Sequence, residues 1–464
     1  MKLRPYPEYK DSGVQWLGKV PAHWKVKKLR HILVRVSGRN RPDLPLLSVV
    51  REKGVIQRDI ENRDENHNFI PDDLSGYKVV RSGRFAMNKM KAWQGSYGVS
   101  SFDGIVSPAY FVFKVHGVEG HFFHAAIRSR SYIPFFTQAS DGVRIGQWDL
   151  SEARMKEIPF FIPSLSEQTQ IARFLDWKTA QIDRFIRNKR RLIELLKEQK
   201  QALINQAVTG RIDVRTGKPY PGYKESGVPW LGKMPVGWDV LPIRRCARSV
   251  KTGGTPPGAD EKFYLVTGLD WYTPGDFSGD LYLEGSARQL SDLGKDAANI
   301  FPKNTVMMIG IGATIGKVAV SKKLCSCNQQ INAIIPNNRV IPEYLALSLR
   351  LAKDYIVKCG KFTTMPIINQ DETKSLRIPL PDRPTQKKIC AYIRDKEDNI
   401  DTAITRTQRE INLMQEYRTR LIADVVTGKL DVRGVVVPDF EKQVEGVTTP
   451  DDSEIPACDH EAMA

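Results

Sequence analysis

Along residues 166–207, apolar side chains return at alternating steps of four and three. Ile171, Leu175, Ile182, Phe185, Leu192, Leu196 and Leu203 lie on one seam, with Lys178, Lys189 and Gln199 at its remaining positions. No Gly or Pro interrupts the run. Pro163 before it and Gly210 after it punctuate a helix of roughly 40 residues, about 60 Å long at ~1.5 Å per residue. A seam that repeats every ~3.5 residues calls for a partner helix. The chain supplies one. Residues 208–215 (VTGRIDVR) recur as 426–433 (VTGKLDVR) at an offset of 218, which also aligns Pro163 with Pro381, Gln168 with Gln386 and Ile171 with Ile389. Residues 385–425 are therefore expected to form a second long helix, with Ile389, Ile393, Ile400, Ile404, Ile411, Met414 and Leu421 on its apolar side. Two such helices in one chain favour an intramolecular pair over a homodimer.

A second repeat frames them. Residues 5–26 (PYPEYKDSGVQWLGKVPAHWKV) recur as 219–240 (PYPGYKESGVPWLGKMPVGWDV) at an offset of 214, with Trp16 on Trp230 and Trp24 on Trp238. Their Pro and Gly density marks extended, turn-rich segments, whose tryptophans are expected to anchor packing. Between the repeated landmarks lie two globules that do not resemble each other. The first has strand-like runs at 46–50 and 110–115, a helix at 121–128, and a loop-prone run at 83–99 that interleaves bases, amides, glycines and aromatics. The expected fold is α+β: two mixed α/β domains in tandem, at 1–164 and 209–383, separated by long helices at 165–208 and 384–427. Those helices form an antiparallel intramolecular coiled coil in a pseudo-two-fold repeat, and an acidic tail occupies 428–464.

Charge sharpens the picture. The formal net charge is +17. From 434 to 464 eight acids face Lys442 alone, a balance of −7, so the rest of the chain carries +24, the whole-chain value less that of the tail. Such an excess suits a polyanionic partner, because neutralising phosphates releases counterions. No apolar run is long enough for a signal peptide or a membrane span, and six cysteines with no zinc-type spacing read as reduced thiols, placing the chain in the cytoplasm.

Catalytic motifs are not evident. Residues 310–318 (GIGATIGKV) miss the phosphate-loop spacing, with Ile311 and Val318 where Gly and Ser or Thr are needed. Ser107-Pro108-Ala109-Tyr110 lacks the Asn with which amino-methyltransferases hold the target amino group. The seven histidines show no metal or nucleophile–base spacing. What remains suits reading of base edges by Arg, Lys, amide and hydroxyl side chains. The candidates are Lys89, Lys91, Trp93, Gln94, Ser96, Tyr97, Arg144 and Gln147 in the first globule. In the second they are Lys251, Thr252, Thr255, Lys317, Asn328, Gln329, Gln330, Thr363 and Thr364.

Taken together, YKDSGVQWLGKVPAHW, its copy YKESGVPWLGKMPVGW, IPSLSEQTQIARFLD, GIVSPAY and IGIGATIGKV…NQQINAI resemble the specificity subunit (HsdS) of type I restriction–modification systems. The resemblance implies a non-catalytic DNA-recognition subunit with one domain per half of a split target in double-stranded DNA. It also implies docking of methyltransferase subunits, two in number, and of restriction subunits. S-adenosylmethionine, ATP and Mg are then expected on those partners and no cofactor or metal in this chain, with Glu167, Gln168 and Gln386 at the docking sites and Glu167 as a helix-capping acid. Its absence from the second copy (Thr385) puts equal docking in doubt. The alternatives are a self-contained DNA-modifying enzyme and a coiled-coil scaffold without DNA affinity.

Overall fold

The structure, a computed structural model, describes residues 3–58, 70–71, 73–142, 148–257, 261–359, 361–362 and 366–438. The chain divides into two compact units, Met1–Arg190 with Arg409–Ala464, and Arg191–Gln408. The long helices are Leu165–Val208 and Arg383–Val426, each of 44 residues, and each contributes to both units. In the first unit Asp183 lies 3.4 Å from Arg418 and Lys189 2.6 Å from Glu410. In the second, Lys200 lies 2.8 Å from Asp401 and 3.4 Å from Glu397. Numbers rise on one helix as they fall on the other, so the pairing within each unit is antiparallel. These partly exposed ion pairs mark register more than they stabilise.

The apolar seam does the stabilising. On the second long helix Ile389, Ile393, Ile400, Ile411 and Leu421 are buried, as their spacing predicts, and Ile404 and Met414 are half-buried. On the first, Ile171, Leu175 and Ile182 are buried, but the seam then runs through Ile186 and Ile193, 5% and 7% exposed. Phe185 and Leu192 face outward at 36% and 39%. One extra four-residue step accounts for this: a straight helix drifts against a strict 3.5-residue repeat, and a single insertion of four restores the seam.

In the first unit a four-stranded antiparallel sheet is ordered Leu33–Arg35, Phe111–Val115, Arg84–Met87, Tyr97–Val99. Phe85, Phe113, Phe123, Tyr132, Phe136 and Phe160 are buried against one another beneath it. In the second unit the main sheet is ordered Ala247–Thr252, Ile331–Pro336, Val306–Ile309, Val318–Ser321, Tyr282–Leu283, with helix Pro342–Leu351 packed on it. Cys325 and Cys327 lie buried on strand Cys325–Cys327 as free thiols, and burial pushes the Cys325 thiol up to about 12.

The two repeats meet crosswise. The first Trp motif closes on the exit of the second long helix, and the second motif closes on the exit of the first. Asp431 N donates to Arg4 O and Asp213 N to Lys218 O, both at 2.8 Å. Tyr9 Oη donates to Gly428 O at 3.1 Å, and Tyr223 Oη to Gly210 O at 3.2 Å. Gly428 (φ +74°) and Gly210 (φ +71°) end their helices in the left-handed region. A Cβ on Gly428 would stand 2.3 Å from Pro21 Cδ and 3.3 Å from the Trp24 ring. On Gly210 it would stand 2.5 Å from Pro235 Cδ and 3.0 Å from the Trp238 ring. The exit glycine and the motif's proline and tryptophan are one joint, built twice.

The starts of the long helices complete it, and they correct the expected roles of three residues. Gln168 Nε2 donates to Pro163 O (2.9 Å) while its Oε1 accepts from Glu119 N (2.7 Å). Gln386 Nε2 donates to Pro381 O (2.9 Å) and Arg339 O (3.0 Å) while its Oε1 accepts from Ile341 N (2.8 Å). Both amides are buried clamps, not docking surface. Glu167 does not cap the helix. Ser164 and Asp382 occupy the cap positions, each accepting from the helix start. The Glu167 side chain, 4% exposed, accepts from Tyr6 Oη (2.8 Å) and Trp24 Nε1 (3.0 Å) and lies 2.9 Å from His23 Nε2. Burial, and then this carboxylate, push the Tyr6 hydroxyl well above its usual range. In the second unit Thr385 stands in its place, and the buried Tyr220 hydroxyl has no carboxylate partner among the described residues.

Three stability changes are expected. Gly13 also has a left-handed backbone but open space around it, so Gly13→Ala should cost about 1 kcal/mol. Gly428→Ala should cost about 3 kcal/mol, the same backbone penalty plus displacement of Pro21; equal midpoints in urea unfolding would refute the close seat. Glu167→Thr, which installs the second copy's residue, should destabilise the first unit by about 2 kcal/mol, because it orphans buried donors. Unfolding of this variant with unchanged midpoint would show that the cluster carries no stability.

Candidate nucleic-acid interface

In the first unit, local rules build a polar cleft. Strand Arg84–Met87 ends at Asn88, whose side chain accepts from Met90 N and starts the short 3-10 segment Lys89–Gln94. Gly95 (φ +98°) stops that segment and turns the chain into strand Tyr97–Val99. The result is a recess of about 530 Å³ into which Lys91, Gln94 and Ser96 converge with Asn88, Tyr77, Arg58, Ser107 and Tyr110. Asn88 Nδ2 donates to Tyr110 Oη at 3.2 Å, so the floor is a fixed array of hydrogen-bonding groups. Burial raises the Tyr110 hydroxyl, which stays a neutral donor and acceptor.

Lys89, Trp93 and Tyr97 do not line the recess. Lys89 is ion-paired with Asp149. Trp93 is half-buried, its ring 5.3 Å from that of Trp148. Tyr97 is a core residue: it is fully buried, its ring is 4.2 Å from that of Phe136, and its hydroxyl has no partner. Strand alternation turns it inward, which removes it from any contact with a base. Arg144 and Gln147 lie outside the described residues. Sequence reading did not select Arg58, Tyr77, Asn88 and Tyr110 as binding residues. Asn88 was open to detection, because an Asx residue before a short helix signals a cap. Arg58 and Tyr77 reach the recess from other segments and left no local signal.

In the second unit the main sheet gathers the candidates at one end. Ala247–Thr252 and Val306–Ile309 finish there, and Ile331–Pro336 and Val318–Ser321 begin there, as the pairs Thr252↔Asn332, Ile309↔Ile331 and Met308↔Val318 require. Lys251 and Thr252, at the end of their strand, and Thr255, Lys317, Asn328, Gln329 and Gln330, in the loops, thus gather at this end. Thr255 Oγ1 bonds to Gln329 Oε1, and Asn328 Nδ2 donates to Gln330 Oε1 at 2.9 Å. Gly253 allows the close approach, since a Cβ there would stand 2.2 Å from Cys327 O. Lys251 is exposed, whereas Lys317 is half-buried with Nζ 3.4 Å from Phe277 O. Beneath the loops Asn332, buried, donates to Ile368 O (2.9 Å) and Thr373 Oγ1 (3.0 Å) and accepts from Thr252 Oγ1 (3.0 Å). It is a missed support residue. Hairpin strands Lys361–Phe362 and Pro366–Ile367 adjoin this end through Ile311↔Ile367; Thr363 and Thr364 lie outside the described residues.

Comparison with known proteins follows the same lines. Residues 235–413 match the model of the type I restriction modification DNA specificity domain. The MjaIX specificity subunit of Methanocaldococcus jannaschii is 28% identical over 177 residues, 37% of this chain and 40% of that one. The EcoR124I/EcoR124II specificity subunit of Escherichia coli is 24% identical over 294 residues, 60% of this chain and 65% of that one. The match therefore spans less than two thirds of either relative. Among solved structures, the HsdS subunit from Thermoanaerobacter tengcongensis superposes with TM-score 0.55 at 17% identity, covering 90% of this chain and 100% of that one. A chain from work on assembly and conformational transition of the type I R-M system gives 0.63 at 17% identity, covering 89% and 99%. The chain is thus similar to the specificity subunits of type I restriction–modification systems, shares the HsdS fold, and matches the DNA specificity domain model at residues 235–413.

Proposed function

We propose that this chain is the subunit that reads DNA sequence in a type I restriction–modification complex, with each unit reading one half of a bipartite target. The observation that carries the reading is the contrast between scaffold and surface. The glutamine clamps at the helix starts and the glycine exits seated on the Trp motifs' prolines are built alike in both units. By contrast, the polar surfaces differ: a recess on a 3-10 turn in one, converging loops at a sheet end in the other. A scaffold repeated under two unlike arrays of amides, hydroxyls and lysines suits two different base sequences. The +24 charge outside the acidic segment supports phosphate contact.

In this reading Lys91 and Gln94 in one unit, with Lys251, Thr255, Gln329 and Gln330 in the other, face the DNA. Lysines hold phosphates, and amides and hydroxyls present donors and acceptors to base edges. Methyltransferase and restriction subunits dock on the scaffold. Adenine methylation with S-adenosylmethionine, and ATP- and Mg-dependent cleavage, then belong to those partners.

Two measurements test this. The affinity of the chain for duplex carrying its target should fall with salt at a slope of about −0.9 in log–log form for each phosphate contacted; a flat dependence would refute DNA binding. Exchanging residues 30–150 for those of a relative of different specificity should alter one half of the methylated site, read by methylome sequencing in a host expressing the partner subunits. Alteration of both halves would refute the assignment of one unit to each half.

A further inference from the structure

On the main sheet of the second unit, strand Ile331–Pro336 carries one polar side chain into an apolar layer. Asn332 is paired with Met308 on one side and Thr252 on the other, and strand alternation puts it on the face of Ile334. It is 3% exposed, between the buried Ile331 and Ala333. Leucine would suit such a layer, because a buried amide is tolerable only when its hydrogen-bonding groups are met. Here they are met. Nδ2 donates to Ile368 O (2.9 Å) and Thr373 Oγ1 (3.0 Å), and Oδ1 accepts from Thr252 Oγ1 (3.0 Å). Gly310 closes the surround, since a Cβ there would stand 2.7 Å from both Asn332 Nδ2 and Ile368 O.

The residues around this amide stand at the feet of different loops of that sheet end. Thr252 leads into residues 253–255, where Gly253 N donates to Ile331 O at 3.0 Å. Gly310 opens the segment 311–317, and its N donates to Gln330 O at 2.8 Å. Ile368 follows hairpin strand Pro366–Ile367, and its N donates to Gly310 O at 2.8 Å. Residues 328–330 run through Ile331 into Asn332 itself. Four segments therefore take their position from one side chain. Hydrogen bonds fix direction as well as distance, which apolar contact does not.

We propose that Asn332 is a positioning residue for base specificity: it touches no base, but holds the four segments in one common register, so that the bases they contact are read together. The inference rests on the reading that this sheet end faces DNA. A residue that only stabilises the fold would, on replacement, lower methylation at every site alike and leave the recognised motif intact. Loss of a shared register changes the motif itself, at more than one position and in one half only. Hydrogen bonds to base edges fail with small displacements.

Methylome sequencing in a host expressing the full chain and the partner subunits tests this. Asn332→Leu keeps the volume and removes all three bonds. Thr373→Val removes one of them from within helix Gln370–Ser375, away from the DNA-facing candidates in sequence. The half-site to watch is the one left unchanged by exchange of residues 30–150. There Asn332→Leu should raise methylation of sites with one altered base by roughly fivefold or more, at two or more positions, while the other half keeps its bases. Thr373→Val should relax the same positions to a lesser degree. An unchanged motif in Asn332→Leu, at full or reduced methylation, would overturn the proposal, as would relaxation of both halves or of a single position. Should that variant show no cooperative urea transition, the motif of Thr373→Val decides on the same terms. A wild-type chain that directs no methylated motif would overturn the reading of DNA recognition, and the proposal with it.

Discussion

A glycine in the left-handed region, seated against a proline ring and a tryptophan, is the contact on which the rest of this molecule depends. Each long helix ends there, at Gly210 or Gly428, and no other residue type satisfies both the backbone angle and the gap to the neighbouring proline. Each joint brings three distant stretches together: a helix exit, a Trp motif, and through Tyr9 or Tyr223 the carbonyls left open at the helix end. The globule is thereby tied to the helix pair rather than strung from it. Loop surfaces that read bases need a rigid support, because small errors of placement break hydrogen bonds.

The two joints are not equally built. In the first, Glu167 gathers Tyr6, His23 and Trp24 into a buried, charge-assisted cluster. In the second the acid is a threonine, His23 is replaced by Gly237, and the buried Tyr220 hydroxyl has no carboxylate partner among the described residues. A buried carboxylate is tolerable where several donors face it and costly where they do not. Loss of the acid and loss of the histidine in the same copy therefore belong together. The asymmetry between the copies is one of internal anchoring.

Much of the fold was legible because its signals are local. Helix seams, punctuating prolines and glycines, and two repeats at constant offset place both long helices within a residue or two of their observed ends. The errors came where distant partners decide. Ile186 and Phe185 are equally plausible by spacing, and only the facing helix selects Ile186. Glu167 reads as a helix-capping acid until its partners, 143 and 161 residues away in the sequence, are in place. Tyr97 sits in a polar, glycine-rich run that suggests exposure, yet strand alternation turns it to the core. Lys91, Gln94 and Ser96 were legible as candidates. The recess they share was not, because Arg58, Tyr77 and Tyr110 come to it from separate segments.

The two surfaces proposed to face DNA also differ in what they demand of the backbone. In the first unit Lys91 and Gln94 sit on a capped 3-10 turn, whose course follows from Asn88 and Gly95. In the second the polar groups sit on loops that close over a buried amide, Asn332, which binds Thr252, Thr373 and Ile368. A recess of the first kind alters its chemistry by exchange of a few side chains along one turn. Loops of the second kind move together when their shared support changes. Divergence of base preference on a common scaffold is therefore open to both units, by substitution in the one and by reshaping of loops in the other.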